Sequence, residues 1–112
     1  MSAYLGEFEQ LVLLAILRLG PGAGTPAIRD AVEAGSRRKI WMGAVFTTLE
    51  RLEAKGLVRS GILEPAEGGR RRKTYALEPA GETALAGAYD TWTRMTRGLK
   101  PQLDNLAPDA LD

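Results

Sequence analysis

The chain has 112 residues, enough for one hydrophobic core, and its 15 Lys and Arg residues nearly balance its 14 Asp and Glu residues. Cysteine and histidine are absent, which excludes disulfides and thiolate metal sites and removes the commonest general base. We therefore expect a cytoplasmic protein without cofactor, metal site or enzymatic activity, and no apolar run approaches the roughly 18 residues that a membrane span needs.

The first predicted element is a helix over Glu7–Leu19, which ends at a glycine-rich break over residues 20–24. Its apolar residues recur at helical spacing in two stripes, namely Phe8, Leu11, Val12, Ala15 and Leu19, and Leu13, Leu14 and Leu17. A helix so apolar on all sides is expected either to be central in the fold or to be shared with a partner.

Two more helices are predicted before the middle of the chain. The second begins at Thr25, whose hydroxyl would cap it ahead of Pro26, and runs to about Ala34. A short strand is predicted over Ser36–Ile40, and the third helix spans Met42–Lys55. Its buried face carries Val45, Leu49 and Leu52. On or near the opposite face are Gly43, Ala44, Thr47, Thr48 and Arg51.

The rest of the chain predicts a hairpin and a long helix. Strands over Leu57–Leu63 and Arg70–Leu77 would pair around a turn, and a helix would follow from Pro79 to about Gly98. Pro101 would end the helical region, leaving Leu103–Asp112 as a loosely held tail.

This order of elements predicts a mainly α fold with a small β-hairpin, the winged helix-turn-helix arrangement. It would occupy residues 1–78, with a C-terminal dimerisation helix and tail over 79–112, in one compact domain. The third helix of such a fold can enter the major groove of DNA, and its hairpin can lie along the adjacent backbone.

The distribution of charge favours DNA as the partner. Residues 37–73 contain ten Lys and Arg residues against four Asp and Glu residues, whereas the flanks have five against ten. The predicted DNA-binding residues are Lys39, Gly43, Ala44, Thr47, Thr48, Arg51, Arg70, Arg71, Arg72 and Lys73. The basic segments would bind phosphates, Thr47, Thr48 and Arg51 would contact bases or phosphates, and Gly43 and Ala44 would allow close approach. Alternatively, the basic segments are solvated loops, and Arg51 pairs with Glu50 or with a neighbour of Lys55 on a plain exposed face.

A homodimer is expected from the apolar stripe of the last helix. Leu85, Ala88, Trp92, Met95 and Leu99 alternate at heptad spacing, and Tyr89 widens the stripe. Together with Phe8, Leu13 and Leu17 of the first helix they are the predicted dimer interface, with a small hydrophobic effector near Trp92 as a further hypothesis. Alternatively, this helix packs on its own domain.

Three stretches of the chain resemble the PadR-like family of winged-helix transcriptional regulators. They are Leu5–Leu17, Met42–Val58 and Gly68–Leu77, the last continuing to Gly81. The resemblance implies a homodimeric repressor, with Met42–Lys55 as the recognition helix, the turn at Gly68–Arg72 as the wing, and the first and last helices forming the dimer. The chain departs from the family pattern at Gly24–Thr25, Trp41, Phe46, Thr74 and Glu78.

The sequence therefore predicts a transcriptional regulator that binds a palindromic operator in double-stranded DNA and is released by a small molecule or another signal. The alternative is a winged-helix adaptor that binds protein and not DNA. The departures at Trp41 and Phe46 favour this alternative, because an exposed Trp at the start of the third helix suits a protein partner.

Overall fold

The computed structural model describes residues 5–65 and 68–106 and shows a mainly helical fold with a small sheet. Within these residues, five helices span Glu7–Leu19 (α1), Thr25–Ser36 (α2), Met42–Ala54 (α3), Pro79–Thr96 (α4) and Lys100–Asp104 (α5). Three strands span Ala23–Gly24 (β1), Val58–Leu63 (β2) and Arg72–Leu77 (β3). The predicted class, a winged helix-turn-helix followed by a C-terminal helix, is confirmed.

The core is built around α1, which contacts α2, α3, α4 and β3. Val12, Leu13 and Ile16 are almost completely buried because these three positions face the neighbouring elements. The other elements add large buried side chains, namely Ile28, Val45, Leu49, Leu52, Tyr75 and Leu85. Helix α1 is therefore central in the fold, the first of the two expectations for a helix apolar on all sides.

The sheet is antiparallel with the strand order β1-β3-β2, so β3 is the middle strand. Ala23 of β1 pairs with Tyr75, and on the other edge Val58 pairs with Leu77 and Leu63 with Arg72. Strand β1, which adds a third strand to the predicted hairpin, thus comes from the glycine-rich break after α1.

The predicted strand over Ser36–Ile40 is wrong. Arg37 adopts a left-handed conformation with φ 56°, and the backbone N–H of Ile40 donates to Oε2 of Glu33 at 2.9 Å. The left-handed residue turns the chain at the end of α2. The bond to Glu33 uses a backbone N–H that a strand would need for pairing. Helix α2 also extends beyond its predicted end at Ala34, to Ser36. The Ser36 hydroxyl donates a hydrogen bond to the Val32 carbonyl and so continues the last turn.

The predicted capping role of Thr25 is also wrong. Gly24 occupies the cap position, and Thr25 is the first helical residue, with a buried side chain. The reason lies in the sheet: Gly24 pairs with Thr74 of β3, so the strand reaches as far as the residue before the helix.

The C-terminal region also differs from the prediction, since α4 ends at Thr96 and a second helix follows. Gly98 turns the chain with φ +79°, and Pro101 lies inside α5 and does not end the helical region. Proline is tolerated there because the N–H groups of a first helical turn have no partner within the helix. The predicted loose tail is therefore helical up to Asp104, and its residues 107–112 lie outside the described residues.

Helix α4 has two parts with different surroundings. Gly81, Ala84 and Leu85 are buried against the domain, whereas every residue from Tyr89 to Met95 is exposed. The radius of gyration is 16.0 Å, compared with about 13 Å for a compact domain of this size. The distal part of α4 therefore projects away from the domain.

A buried ionic contact joins the start of α1 to the end of α3. Oε1 of Glu9 accepts the backbone N–H of Gly6 at 3.1 Å, and Oε2 accepts Nζ of Lys55 at 2.7 Å. Burial raises the pKa of Glu9, but the bonds from Lys55 and Gly6 and the nearby charge of Arg51 outweigh it, so the pKa is lowered overall. The charged carboxylate therefore stabilises the fold above its unfolded-state pKa, and this contribution is lost as the pH falls through the lowered folded-state pKa.

We expect Glu9→Gln to lower the free energy of unfolding by about 1–2 kcal/mol at pH 7, because it removes a charge-assisted hydrogen bond from a buried site. The difference from the unsubstituted protein should shrink as the pH falls through the lowered folded-state pKa of Glu9, because Glu9 itself becomes protonated there. Urea denaturation across pH measures both effects. Glu7→Gln is the matched control, since Glu7 pairs with Arg38 in solvent and should contribute less than about 0.5 kcal/mol. An equal loss in both variants would contradict the assignment.

Candidate nucleic-acid interface

Helix α3 has one face in the core and one face in solvent. Val45, Leu49 and Leu52 are fully buried, as predicted from their spacing. Opposite them, Gly43, Thr47, Glu50 and Ala54 form an exposed row at intervals of four, three and four residues. Three of the four are small, so this face of α3 is open to close approach by a large partner.

The placement of Thr48 on the exposed face is wrong. Its side chain is buried, with a residue exposure of 5%. Thr48 is three residues after Val45 and four before Leu52, so it belongs to the inner row of the helix. Of the other candidates on α3, Gly43, Ala44, Thr47 and Arg51 are all exposed. Arg51 forms no ion pair with any described residue, so the predicted alternative, a pair between Arg51 and Glu50, is absent.

The hairpin of β2 and β3 projects beside α3 and carries the basic cluster, which we define as Arg70, Arg71, Arg72 and Lys73. All four side chains are exposed. Arg71 pairs with Glu64 at 3.2 Å, and Lys73 lies 3.9 Å from Oε1 of Glu53. No described residue forms an ion pair with Arg70 or Arg72, so their charges are available at the end of the hairpin.

Two contacts along the hairpin fix it to α3. The Ser60 hydroxyl of β2 donates to Oε2 of Glu53 at 2.6 Å, and Lys73 of β3 approaches the other oxygen of the same carboxylate. Below them, Lys73 Nζ lies 5.8 Å from the ring centroid of buried Tyr75. Burial raises the pKa of Tyr75, and the charges of Glu53 and Glu50 raise it further against the opposing effect of Lys73. The basic cluster is therefore held next to the C-terminal half of α3.

The turn before α3 presents a second basic segment. Arg38 pairs with Glu7 in solvent at 3.2 Å, and Lys39 Nζ lies 5.1 Å from the ring centroid of Trp41. Trp41 occupies the cap position of α3, is 70% exposed, and gives the helix no side-chain cap. Because the Trp41 ring attracts its ammonium group, Lys39 is held near the start of α3.

The predicted dimer residues divide into buried and exposed groups. Leu13 is buried in the core of its own domain, so its placement at a surface interface is wrong. Leu85 is also largely buried, but its side chain lines an apolar groove on the surface. Both are buried because α1 is central and the first turns of α4 lie against it. Phe8 and Ala88 are partly exposed, and the remaining members of the set are exposed, namely Leu17, Tyr89, Trp92, Met95 and Leu99.

Leu14, Leu103 and Leu106 are exposed apolar residues that are absent from the predicted dimer interface. Leu14 is half exposed and lies three residues before Leu17, so it extends the same stripe on the surface of α1. Leu103 of α5 and Leu106 beyond its end are also exposed. The spacing of Leu14 and Leu17 is a signal that could have identified Leu14.

An apolar groove lies between α1 and α4. It has a volume of about 480 Å³ and is lined by Leu14, Leu17, Leu77, Glu82, Leu85, Ala86 and Tyr89. Tyr89 connects this groove to the exposed side chains of Trp92 and Met95 one and two turns further along α4. The groove and the distal part of α4 therefore form one continuous apolar surface.

Among the described helices, none combines the length and the apolar character that crossing a membrane requires.

The fold agrees with comparisons to known proteins. The model of the transcriptional regulator PadR-like family matches residues 13–87. An uncharacterized 37.1 kDa protein in transposon TN4556 of Streptomyces fradiae is 34% identical over 87 residues, which cover 78% of this chain and 24% of that protein. The chain thus spans about a quarter of the length of this curated relative.

Solved structures share the fold at low sequence identity. A PadR-like transcription factor from Bacteroides fragilis is 23% identical with a TM-score of 0.70, over 82% of this chain and 85% of that one. RosR from H. salinarum is 19% identical with a TM-score of 0.69, over 96% and 94%. Bacillus subtilis PadR, solved in complex with operator DNA, is 17% identical with a TM-score of 0.63, over 73% and 46%. Because the family model matches two thirds of the chain, this chain belongs to the PadR-like family of transcriptional regulators.

Proposed function

We propose that this chain binds double-stranded operator DNA as a homodimer and acts as a transcriptional repressor. The observation that carries the proposal is the attachment of the basic cluster to α3 through Ser60, Glu53 and Lys73. Arginine suits phosphate because its planar guanidinium can donate two parallel hydrogen bonds. A hairpin held beside an exposed helix matches the geometry in which the helix enters the major groove and the hairpin follows the backbone.

Lys39 supports the same mode of binding from the other end of α3. Its ammonium group lies against the Trp41 ring at the helix start, and the small residues Gly43 and Ala44 follow in the first turn. Phosphate contacts at both ends of a helix fix its register in the groove, and the side chains between them then meet the base edges. The family's match and the operator complex of Bacillus subtilis PadR support this assignment.

An electrophoretic mobility shift with DNA from upstream of the protein's own gene tests the proposal. We expect a retarded complex at 50 mM salt that survives an excess of unrelated DNA. The complex should also protect two half-sites about 34 Å, or one helical turn, apart, because a twofold dimer presents two recognition helices. Failure to shift any DNA at this salt would remove the DNA-binding proposal.

The dimer is proposed to form through the apolar surface of α1 and α4. Tyr89, Trp92 and Met95 are 74%, 63% and 73% exposed in the single chain, which is unusual for three large apolar side chains in successive turns. Burying them against a second copy would stabilise the dimer by roughly 25 cal/mol for each Å² of apolar surface removed from water. The groove beside Leu14 and Leu17 gives the partner's helix a place to pack.

We expect sedimentation to show a dimer that Trp92→Asp converts to a monomer, because an ionised carboxylate in this interface would be desolvated without a partner. Circular dichroism should remain helical, since the Trp92 side chain contributes nothing to the core of its own domain. Thr93→Asp is the control, placing the same charge on the adjacent exposed position of α4. A monomeric unsubstituted protein would rule out the dimer.

A small hydrophobic molecule would release the protein from DNA if it binds near Trp92 and favours one arrangement of the two subunits. Such a ligand must have different affinities for the DNA-bound and free arrangements to shift their populations. Fluorescence of a Trp41→Phe variant, in which Trp92 is the remaining tryptophan, monitors binding of planar hydrophobic compounds.

A second candidate function is a protein-binding adaptor. It is favoured by the 70% exposure of Trp41 at the start of α3 and by the half-exposed Phe46 further along the helix. Large aromatic residues are enriched in protein interfaces. The mobility shift separates the two functions, because the adaptor would bind no DNA at low salt.

A further inference from the structure

Glu50 is the one acidic residue in the exposed row of α3, whose other members are Gly43, Thr47 and Ala54. It lies in the exposed row between Thr47 and Ala54, at the third position of the four. No described residue donates a hydrogen bond to its carboxylate or pairs with it, although Arg51 is the next residue. Glu53, one turn further on, differs in that Ser60 and Lys73 occupy its two oxygens. Glu50 therefore presents a free negative charge on the face proposed to enter DNA.

A carboxylate facing a polyanion weakens binding unless it meets a hydrogen-bond donor. Phosphates and sugar oxygens of duplex DNA offer none, and the donors in the major groove are the exocyclic amino groups of cytosine and adenine. An ionised carboxylate has acceptors alone. Cytosine presents its N4 amino group in the groove, whereas adenine presents the N7 acceptor beside its N6 donor and repels one carboxylate oxygen.

We propose that Glu50 is a specificity-determining residue that accepts a hydrogen bond from the N4 amino group of a cytosine in each operator half-site. The inference rests on the proposed binding of DNA through α3. The small side chains of Gly43, Thr47 and Ala54 allow the helix to approach closely enough for the short Glu side chain to reach a base edge. The basic cluster and Lys39 compensate the repulsion of the phosphates, so the acid can act on sequence choice while the cations supply affinity.

Selection of binding sites from random DNA tests the inference, using the full-length unsubstituted protein, Glu50→Gln and Glu50→Ala. The unsubstituted protein should select cytosine at one position per half-site by about tenfold, within the range of one good base contact. Glu50→Gln should shift that position to adenine, because a glutamine amide both donates and accepts and so matches N7 and N6 of adenine. Glu50→Ala should lose the preference at that position and keep the others.

Asp30→Asn is the matched control, since it removes the same charge from an exposed position on α2, where Asp30 pairs with Arg29 in solvent. Its selected site should equal that of the unsubstituted protein. The inference fails if the Glu50 variants select the same bases as the unsubstituted protein. It also fails if they bind all sequences more tightly by a common factor, because Glu50 would then be a repulsive charge without a base partner. Absence of DNA binding by the unsubstituted protein is a different result and counts against the proposed function itself.

Discussion

Replacing Gly81 by alanine is expected to destabilise the protein more than any other single methyl addition at a described glycine. A Cβ at Gly81 would lie far inside the van der Waals distance of the Leu57 carbonyl oxygen and 3.0 Å from its carbonyl carbon. The obstacle is backbone, which cannot rotate away as a side chain can. We expect a loss of about 3 kcal/mol or more in the free energy of unfolding, at the upper end of what overpacking costs.

The close approach at Gly81 is fixed from both sides. The Leu57 carbonyl accepts the Glu78 N–H at 2.9 Å, and Arg59 donates to the Leu77 carbonyl and to Glu78. These bonds hold the first turn of α4 against the start of β2, so the helix can move away only by breaking them. The substitution should therefore also loosen the attachment of α4 to the domain.

Gly87→Ala on the same helix is the control for Gly81→Ala. A Cβ there meets nothing within 4 Å, so the substitution should stabilise α4 by about 0.5–1 kcal/mol through helix propensity alone. Urea denaturation of both variants measures the contrast. Two variants of equal stability would show that the contact between α4 and β2 is not as close as described.

Simultaneous replacement of Arg70, Arg71 and Arg72 by alanine is expected to weaken DNA binding about 100-fold near 0.1 M salt, because each neutralised phosphate adds roughly 0.9 to the slope of log K against log salt. The slope itself should fall by about 2–3 if all three side chains contact phosphates. The loss should be nearly uniform across DNA sequences, since phosphate contacts do not distinguish bases. Fluorescence anisotropy with operator and unrelated DNA at several salt concentrations measures all three quantities.

The control for the wing is Arg18→Ala, Arg94→Ala and Arg97→Ala combined, which removes the same total charge from α1 and the end of α4. If binding follows total charge, both triple variants lose affinity equally, and the hairpin has no special role. If binding follows the geometry proposed here, the control keeps the slope of the unsubstituted protein. Unfolding measurements should find both variants as stable as the parent, because all six side chains are exposed.

The sequence determined the order of the main elements, because helices and strands of this length leave a periodic apolar pattern. The spacing of Val45, Leu49 and Leu52 predicts α3 and its buried face, and the run Arg70–Lys73 predicts the basic hairpin. The same pattern misplaced Thr48, since a threonine fits either face of a helix and its neighbours decide which face it occupies.

The tertiary structure alone decided which apolar residues remain on the surface. Leu13 and Leu14 are adjacent and chemically identical, yet Leu13 is fully buried and Leu14 is half exposed. Likewise, the heptad spacing of α4 joins Leu85 to Trp92, although the first packs into the domain and the second projects into solvent. Periodicity gives the direction of a side chain from its helix axis, whereas burial depends on which other elements lie in that direction.

Local sequence patterns likewise could not predict the contacts between residues of the interface that are far apart in sequence. The sequence contains Glu50 and Glu53 as two similar acids three residues apart, but the fold brings Ser60 and Lys73 to Glu53 and leaves Glu50 without a partner among the described residues. The sequence thus determined the helices, the hairpin and the basic cluster, because these depend on neighbours along the chain. The three-dimensional packing decided which charges are paired and which apolar faces are free, because these depend on residues far apart in sequence.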